Sequence, residues 1–232
     1  MALLARSGVA VTICCSTRGE GGVVGSPPVC RPQDLGACRT RELRRAGRVL
    51  GAAAVTFLGY VDPPVAAGHV LQAATGDVGE YAGRILRVLR RRRPLVVITH
   101  GSNGEYGHPQ HVVTHRAMLA AWREWDNDSA ALYTFAAAAS PGQYFSAFRN
   151  AEDVPTLVVD IRSVLDLKHR AFACHASQIA VTLRDAGLSD MAGMFPAWEA
   201  LRRWAGPPLL EEWLDGVAIA VAAEEARSAV EA

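Results

Sequence analysis

The sequence of 232 residues lacks long apolar runs and lacks an excess of charge of either sign. Its longest apolar stretches, around residues 130–139 and 217–223, are far shorter than the ~20 residues that a membrane helix needs. We therefore predict no membrane span. The 24 basic and 23 acidic residues give a formal net charge of +1. A dedicated nucleic-acid or acidic-membrane binder is typically more basic, so we expect no nucleic-acid partner.

Cysteine is also sparse, and its spacing forms no disulfide framework. The cysteines are five in number and include no CxxC pair: Cys14, Cys15, Cys30, Cys38 and Cys174. This usage favours a reducing cytoplasm. The apolar segment Val9–Cys15 is interpreted as a strand rather than a secretory signal, because Arg6 lies within the leading segment and no basic region precedes it.

Continuous apolar runs alternate with segments of helical periodicity, which is typical of βα units with buried parallel strands. The predicted strands are Val9–Cys15, Ala53–Leu58, Leu95–Thr99, Ala131–Ala136 and Thr156–Asp160. The predicted helices are Gly36–Leu50, a helix that opens with Asp77 and Glu80 as a capping box, one that starts at Pro109, Ser163–Ala186, and an alanine-rich helix at the end of the tail 196–232. We predict a single α/β domain over residues 1–232, Rossmann-like, with a mostly parallel sheet flanked by helices.

In such sheets a ligand binds beyond the carboxyl ends of the strands. The candidate ligand-binding loops are therefore those that begin at Ser16, Gly59, His100 and Ala137. The last of them, Ala137–Val154, is long enough to be a functional loop.

The loop after the third strand carries the densest set of functional side chains, because four of the seven histidines lie between residues 100 and 115. Pro109 places His108 near a helix N-cap, a position that suits an imidazole for acid–base chemistry. His111 and His115 are four residues apart, so both can approach one cation. Two histidines at this spacing are more often ordinary surface residues. Here, however, the pair follows a strand and a glycine-rich turn, which favours a metal site. For His115 alone a plain helix-face role is favoured.

Lys168 and His175 lie seven residues apart on the long helix predicted over Ser163–Ala186. A buried charge must be paired, so we favour a structural network that anchors this helix to the sheet. Direct contact with a substrate is the alternative.

The segment Gly104–His111, followed by Thr114-His115-Arg116, resembles the second signature of the LmbE-like, or PIG-L, family of zinc-dependent N-acetylglucosaminyl deacetylases. It is especially similar to the branch that acts in mycothiol biosynthesis. Further matches occur in the family's order: Thr17–Glu20, Arg39–Leu43, Leu58–Asp62, and Lys168 through His175–Gln178.

The resemblance implies hydrolysis of the N-acetyl amide of an acylated amino sugar by a zinc ion that acidifies a water and polarises the amide carbonyl. By this likeness His111 is a metal ligand, and His108 stabilises or protonates the tetrahedral intermediate. Tyr106 assists the oxyanion, whereas Arg39 and Asp62 occupy substrate-binding positions. A surface helix charge for Arg39 and a turn residue for Asp62 are equally open.

The family's first signature, Ala-His-Pro-Asp-Asp-Glu, has no match in this chain. In the family it ends the opening strand and supplies two zinc ligands and the carboxylate base. We therefore expect the chain to be N-terminally truncated relative to the family, with the first strand missing. Three alternatives remain: an enzyme that is incomplete in this form, a non-catalytic carbohydrate-binding pseudoenzyme, or a metal site rebuilt from Glu20, Asp62 or His115. The oligomeric state and the choice between zinc and iron stay open.

Overall fold

A computed structural model describes residues 1–65, 70–135, 153–191, 194–216 and 218–220, leaving aside the side chains of Tyr106, Asp185, Ala186 and 218–220. The helices are α1 (Ala2–Arg6), α2 (Leu35–Val49), α3 (Val78–Arg92), α4 (Gly104–Gly107), α5 (Pro109–Trp125), α6 (Leu165–Ala173), α7 (Ala176–Ala186) and α8 (Leu209–Trp213). The strands are β1 (Thr12–Cys15), β2 (Ala54–Phe57), β3 (Val96–Thr99), β4 (Ala131–Phe135), β5 (Leu157–Asp160), β6 (Trp198–Ala205) and β7 (Ala218–Ala220). Two compact units result: unit 1 comprises Met1–Ala74 and Ile161–Ala197, and unit 2 comprises Thr75–Asp160 and Trp198–Ala232.

Unit 1 is built on the parallel pair β1–β2, in which Thr12 lies opposite Ala54. Helix α2 packs against β2 and α6. Gly47 permits the close approach of α2 to the sheet, because a Cβ at this position would lie 3.1 Å from Val55 Cγ2. Ala46 beside it is buried in the same contact region.

The continuous helix predicted over Ser163–Ala186 is wrong, because the chain forms α6 and α7 with a break at Cys174–His175. The buried carboxylate of Glu42 on α2 accepts hydrogen bonds from Ser177 N at 2.9 Å and from Ser177 Oγ at 2.7 Å. An anionic acceptor satisfies an N–H group in the first turn of a new helix, which compensates for the interruption.

Unit 2 contains a five-stranded sheet in the order β3-β4-β6-β5-β7. Strands β3 and β4 are parallel, whereas β6 runs antiparallel to β4 and β5, and β7 runs antiparallel to β5. The centre of the sheet is fully buried at Ala131, Leu132 and Tyr133. Helix α3 packs along α5 and is capped by Asp77, whose carboxylate accepts the Glu80 N–H at 2.9 Å, as the sequence predicted.

The predicted α/β class is confirmed, and the five predicted strands occur within or close to their predicted ranges. Strand β6 was not predicted, because Glu199, Arg202 and Arg203 interrupt its apolar pattern and its residues are mostly half-buried. The predicted functional loop Ala137–Val154 lies outside the described residues up to position 152. Of the alanine-rich end, for which a helix was predicted, only Ala218–Ala220 is described, and it forms the strand β7. Among the described helices, none is both long and apolar enough to cross a bilayer.

Candidate metal centre

The candidate site is built where β3 delivers the chain to His100, at the carboxyl end of a parallel strand. A short turn leads into α4, and His108 separates α4 from α5. Gly104 has a left-handed backbone with φ of +63°, and a Cβ there would lie 2.9 Å from His111 Cβ. A glycine at this position therefore allows α4 to press against α5, which brings Glu105 to the ring of His111.

Three side chains meet here, and their potential ligand atoms all lie within 4.8 Å of one another: His100, Glu105 and His111. Glu105 Oε2 accepts hydrogen bonds from His100 Nδ1 at 2.8 Å and from His111 Nδ1 at 2.7 Å. The two imidazoles are stacked, with ring centroids 3.9 Å apart. Because each Nδ1 carries the proton, a neutral ring keeps its lone pair on Nε2.

Glu105 is held as an anion. Burial opposes its ionisation, but hydrogen bonds from His100 and His111 and from the Gly101 N–H outweigh burial and lower the pKa of Glu105 to about 2. A carboxylate between two imidazoles supplies negative charge at the point where a cation would bind.

His108 stacks on the other face of His111, with ring centroids 4.6 Å apart. Its Nδ1 accepts the Gln110 N–H at 3.2 Å, so His108 is the N-cap of α5. Burial, together with the electrostatic influence of His111 and His100, lowers the pKa of His108 to about 4. His108 is therefore a neutral imidazole whose proton is on Nε2.

The donor set of His100, Glu105 and His111 fits a divalent metal ion. Two histidine nitrogens and a carboxylate are typical protein ligands of catalytic zinc, and the same set also suits iron(II). Each of these side chains is between 20% and 32% exposed, so an ion can reach them. A carboxylate that orients and polarises ligand histidines is itself a common feature of such centres.

His115 does not join this group, so the prediction that His111 and His115 approach one cation is wrong. His115 is buried, and its Nδ1–H donates to the His100 carbonyl oxygen at 2.9 Å. Its ring packs edge-on against Trp204, with centroids 5.1 Å apart. His115 is therefore a buried residue of the α5 face. The side chain of Tyr106 lies outside the described part of the structure.

Arg39 and Asp62 lie in unit 1, where the structure brings both to the glycine-rich turn 19–22. A Cβ at Gly19 or Gly22 would lie 2.5 Å from the Arg39 guanidinium, which donates to Val23 O at 3.3 Å. Burial lowers the pKa of Arg39, and the charge of Asp62 opposes this shift. Burial raises the pKa of Asp62.

Glu20 is engaged in the same turn, since it accepts from Arg18 Nε at 2.7 Å and from the Asp62 N–H at 3.2 Å. These contacts pair Glu20 inside unit 1 and give no indication that it rebuilds a metal site.

Lys168 and His175 occupy α6 and the break before α7 in unit 1. Lys168 Nζ lies 4.7 Å from the centre of the Phe195 ring. His175 is the N-cap residue of α7, and burial lowers its pKa. These contacts lie within unit 1, and the network that would anchor the helix to the sheet stays a prediction.

Comparison with known proteins identifies the family of this chain. Residues 1–122 match the family described as PIG-L, GlcNAc-PI de-N-acetylase. The match includes the whole segment from β1 to the His108–His111 turn. The chain belongs to the PIG-L family. The family is described as a de-N-acetylase, and its relatives reported below are named as deacetylases, that is, amide hydrolases.

Several PIG-L relatives carry the name 1D-myo-inositol 2-acetamido-2-deoxy-alpha-D-glucopyranoside deacetylase, and two of them illustrate the likeness. The protein from Acidothermus cellulolyticus is 31% identical over 227 residues, covering 83% of this chain and 78% of the relative. The protein from Mycobacterium sp. (strain KMS) is 32% identical over 200 residues, covering 73% of this chain and 64% of the relative. The chain thus spans about two thirds of the length of the mycobacterial protein.

The PIG-L fold is also found in a solved structure, N,N'-diacetylchitobiose deacetylase from Pyrococcus horikoshii. It is 18% identical, with a TM-score of 0.58, and the match covers 91% of this chain and 78% of the other. At this identity the likeness establishes the fold.

Sequence reasoning found His111 but missed His100 and Glu105 as members of the group. His100 follows β3 directly, at the strand end where α/β folds place their ligands, and this position was the available signal. Glu105 gave no such signal, because its contact with His111 depends on the left-handed backbone at Gly104 and Glu105.

Proposed function

We propose that the chain is a zinc-dependent hydrolase that removes the N-acetyl group from a glucosamine-type sugar. The observation that carries the proposal is the His100–Glu105–His111 group beside the neutral His108, in a member of the PIG-L family. In this proposal His100, Glu105 and His111 hold the ion, which when bound polarises the amide carbonyl and acidifies a water.

The chain's own residues supply proton control around that ion. In the metal-free protein Glu105 is anionic and accepts hydrogen bonds from the Nδ1 atoms of His100 and His111, which orients both rings before an ion binds. His108 presents its Nε2 proton as a hydrogen-bond donor to the oxygen that becomes negative in the tetrahedral intermediate. Its pKa of about 4 favours stabilisation of that oxygen over full proton donation near neutral pH.

The substrate in this proposal is a small acylated amino sugar, the class named in the relatives from Acidothermus and Pyrococcus. In this proposal Arg39 and Asp62 bind its hydroxyl groups, because a guanidinium can donate two parallel hydrogen bonds and a carboxylate accepts hydrogen bonds from hydroxyl groups. Tyr106 assists the oxyanion. The five cysteines are free thiols, which supports a reducing cytoplasmic location. We further propose that residues 1–232 act as one domain.

The test is acetate release from 1D-myo-inositol 2-acetamido-2-deoxy-α-D-glucopyranoside and from N,N'-diacetylchitobiose, after stripping the protein with a chelator and reloading it with Zn²⁺ or Fe²⁺. We expect one zinc per chain, activity that returns with zinc, and loss of both in His111→Ala. His169→Gln, which changes a histidine of unit 1, should keep both.

Two results would contradict the proposal. The first is a zinc-loaded protein that releases no acetate from either sugar, and bound sugar without hydrolysis would then indicate a carbohydrate-binding protein. The second is full zinc occupancy in His111→Ala, which would place the ion elsewhere in the chain.

A further inference from the structure

The main chain just after β3 is anchored by a buried carboxylate that no motif predicted. Asp153 precedes β5, and its side chain is 1% exposed. One carboxylate oxygen accepts the Ser102 N–H at 2.6 Å, and the other accepts from Arg202 Nη1 at 3.1 Å. A buried carboxylate with a cationic partner and a backbone donor is well compensated, so it fixes the position of Ser102.

A second set of contacts holds the same turn from strand β6. The guanidinium of Arg202 lies 4.6 Å from the Trp204 ring centre, and Trp204 packs edge-on against His115. His115 in turn donates to the carbonyl oxygen of His100. The contacts therefore run from Asp153 through Arg202, Trp204 and His115, and they reach the main chain on both sides of Gly101.

The register of β6 explains why Trp204 can make this contact. Leu132 lies opposite Ala205 and Tyr133 lies opposite Arg203, so Trp204 is an extra residue with no opposite partner on β4. Such a bulge redirects a side chain relative to a regular strand, and bulges are common beside functional sites.

We propose that Asp153, Arg202, Trp204 and His115 form a positioning bracket that sets the place of His100 for metal binding. This inference rests on the proposed metal site, and it assigns none of the four residues a contact with substrate. Because Ser102 and His100 are held on either side of Gly101, the ring of His100 is presented to Glu105 before any ion arrives. Loss of the Asp153 carboxylate releases one of the two anchors, because it removes the acceptor of the Ser102 N–H and an anionic partner of Arg202.

The experiment measures zinc affinity by calorimetric titration of the metal-free protein with Zn²⁺ alone. We expect Asp153→Ala to weaken zinc binding by about 10- to 100-fold, the range seen when residues that orient metal ligands are changed. Asp153→Asn keeps the shape and one acceptor, so it should fold even where Asp153→Ala does not and should weaken binding less. Tyr133→Phe is the matched control, because Tyr133 is also fully buried in unit 2 but bonds to Glu211 and the Leu210 N–H.

A second readout needs no metal. In the metal-free protein the Ser102 amide should exchange with solvent deuterium slowly in the wild type and in Tyr133→Phe, much faster in Asp153→Ala, and at an intermediate rate in Asp153→Asn. The inference is overturned if folded Asp153→Asn binds zinc and protects Ser102 like the wild type, or if Tyr133→Phe weakens zinc binding equally. Absence of zinc binding in the wild type would instead refute the proposed function.

Discussion

At the scale of single residues, the protonation state of His108 decides what this side chain can do. Its Nδ1 accepts the Gln110 N–H as a helix cap, so the proton of the neutral ring is on Nε2. Burial and two neighbouring imidazoles keep that ring neutral. Because the Nε2–H of His108 is already in position, it can stabilise a developing oxyanion by a hydrogen bond without reorganisation of the site.

We therefore predict that His108→Ala lowers kcat by about 100- to 1,000-fold, the loss typical of one oxyanion donor. Zinc affinity should change little, because His108 is not in the ligand group. His108→Gln restores an N–H donor and should recover part of kcat. Steady-state kinetics and zinc titration of the same preparations check this. A large loss of zinc with normal kcat in the loaded fraction would show that His108 is a ligand instead.

At the scale of elements, the short helix α4 depends on two glycines with different surroundings. Gly104 has φ of +63° and lies against His111 and Val112, whereas Gly107 has φ of +79° and a Cβ added there would meet no atom within 4 Å. An alanine at either site costs about 1–2 kcal/mol for its left-handed backbone. Only an alanine at Gly104 also pushes α4 away from α5.

This difference predicts that Gly104→Ala weakens zinc binding strongly, while Gly107→Ala lowers the melting temperature with zinc affinity nearly unchanged. Zinc titration and thermal denaturation of both variants provide the measurement. Equal zinc affinities in the two variants would show that the close packing of α4 on α5 does not set the position of Glu105.

The break between α6 and α7 makes a second prediction at this scale. Glu42 is buried and caps α7 through Ser177, so Glu42→Gln should cost about 1–3 kcal/mol of unfolding free energy. The control is Asp34→Asn, which removes an exposed ion pair with Arg31 and should cost less than about 1 kcal/mol. Urea denaturation measures both. A Glu42→Gln variant as stable as Asp34→Asn would refute the capping role.

The elements also show which parts of the structure a sequence pattern can predict. Strands β1 to β5 and the capped start of α3 were predictable because each follows from a local apolar run or capping residue. The break at His175 depends on the bond between Glu42 and Ser177, whose partners are separated by 135 residues. Likewise β6 is specified by its pairing with β4 and β5 rather than by its own periodicity. Distant partners of this kind leave no local signature.

At the scale of the whole molecule, the chain passes between the two units at Ala74–Thr75, Asp160–Ile161 and Ala197–Trp198. The hydrogen bond from Ile161 N to Ala197 O at 2.8 Å joins the two ends of the segment Ile161–Ala197 within unit 1. β5 ends at Asp160 and β6 begins at Trp198, so neither crossing contains a linker. The single-domain prediction rests on the length of the chain and on a sequence without a boundary that would divide it, and it implies that the two units unfold together.

Zinc tests this prediction, because every residue of the ligand group belongs to unit 2. At a free concentration of 100 times Kd, zinc should add about 2.7 kcal/mol to the folded state. For a domain of this size that corresponds to a rise in melting temperature of roughly 5–10 °C. Scanning calorimetry should show one transition that moves as a whole with zinc, and no movement in His111→Ala. Two transitions, with only one responding to zinc, would mean that the chain folds as two domains.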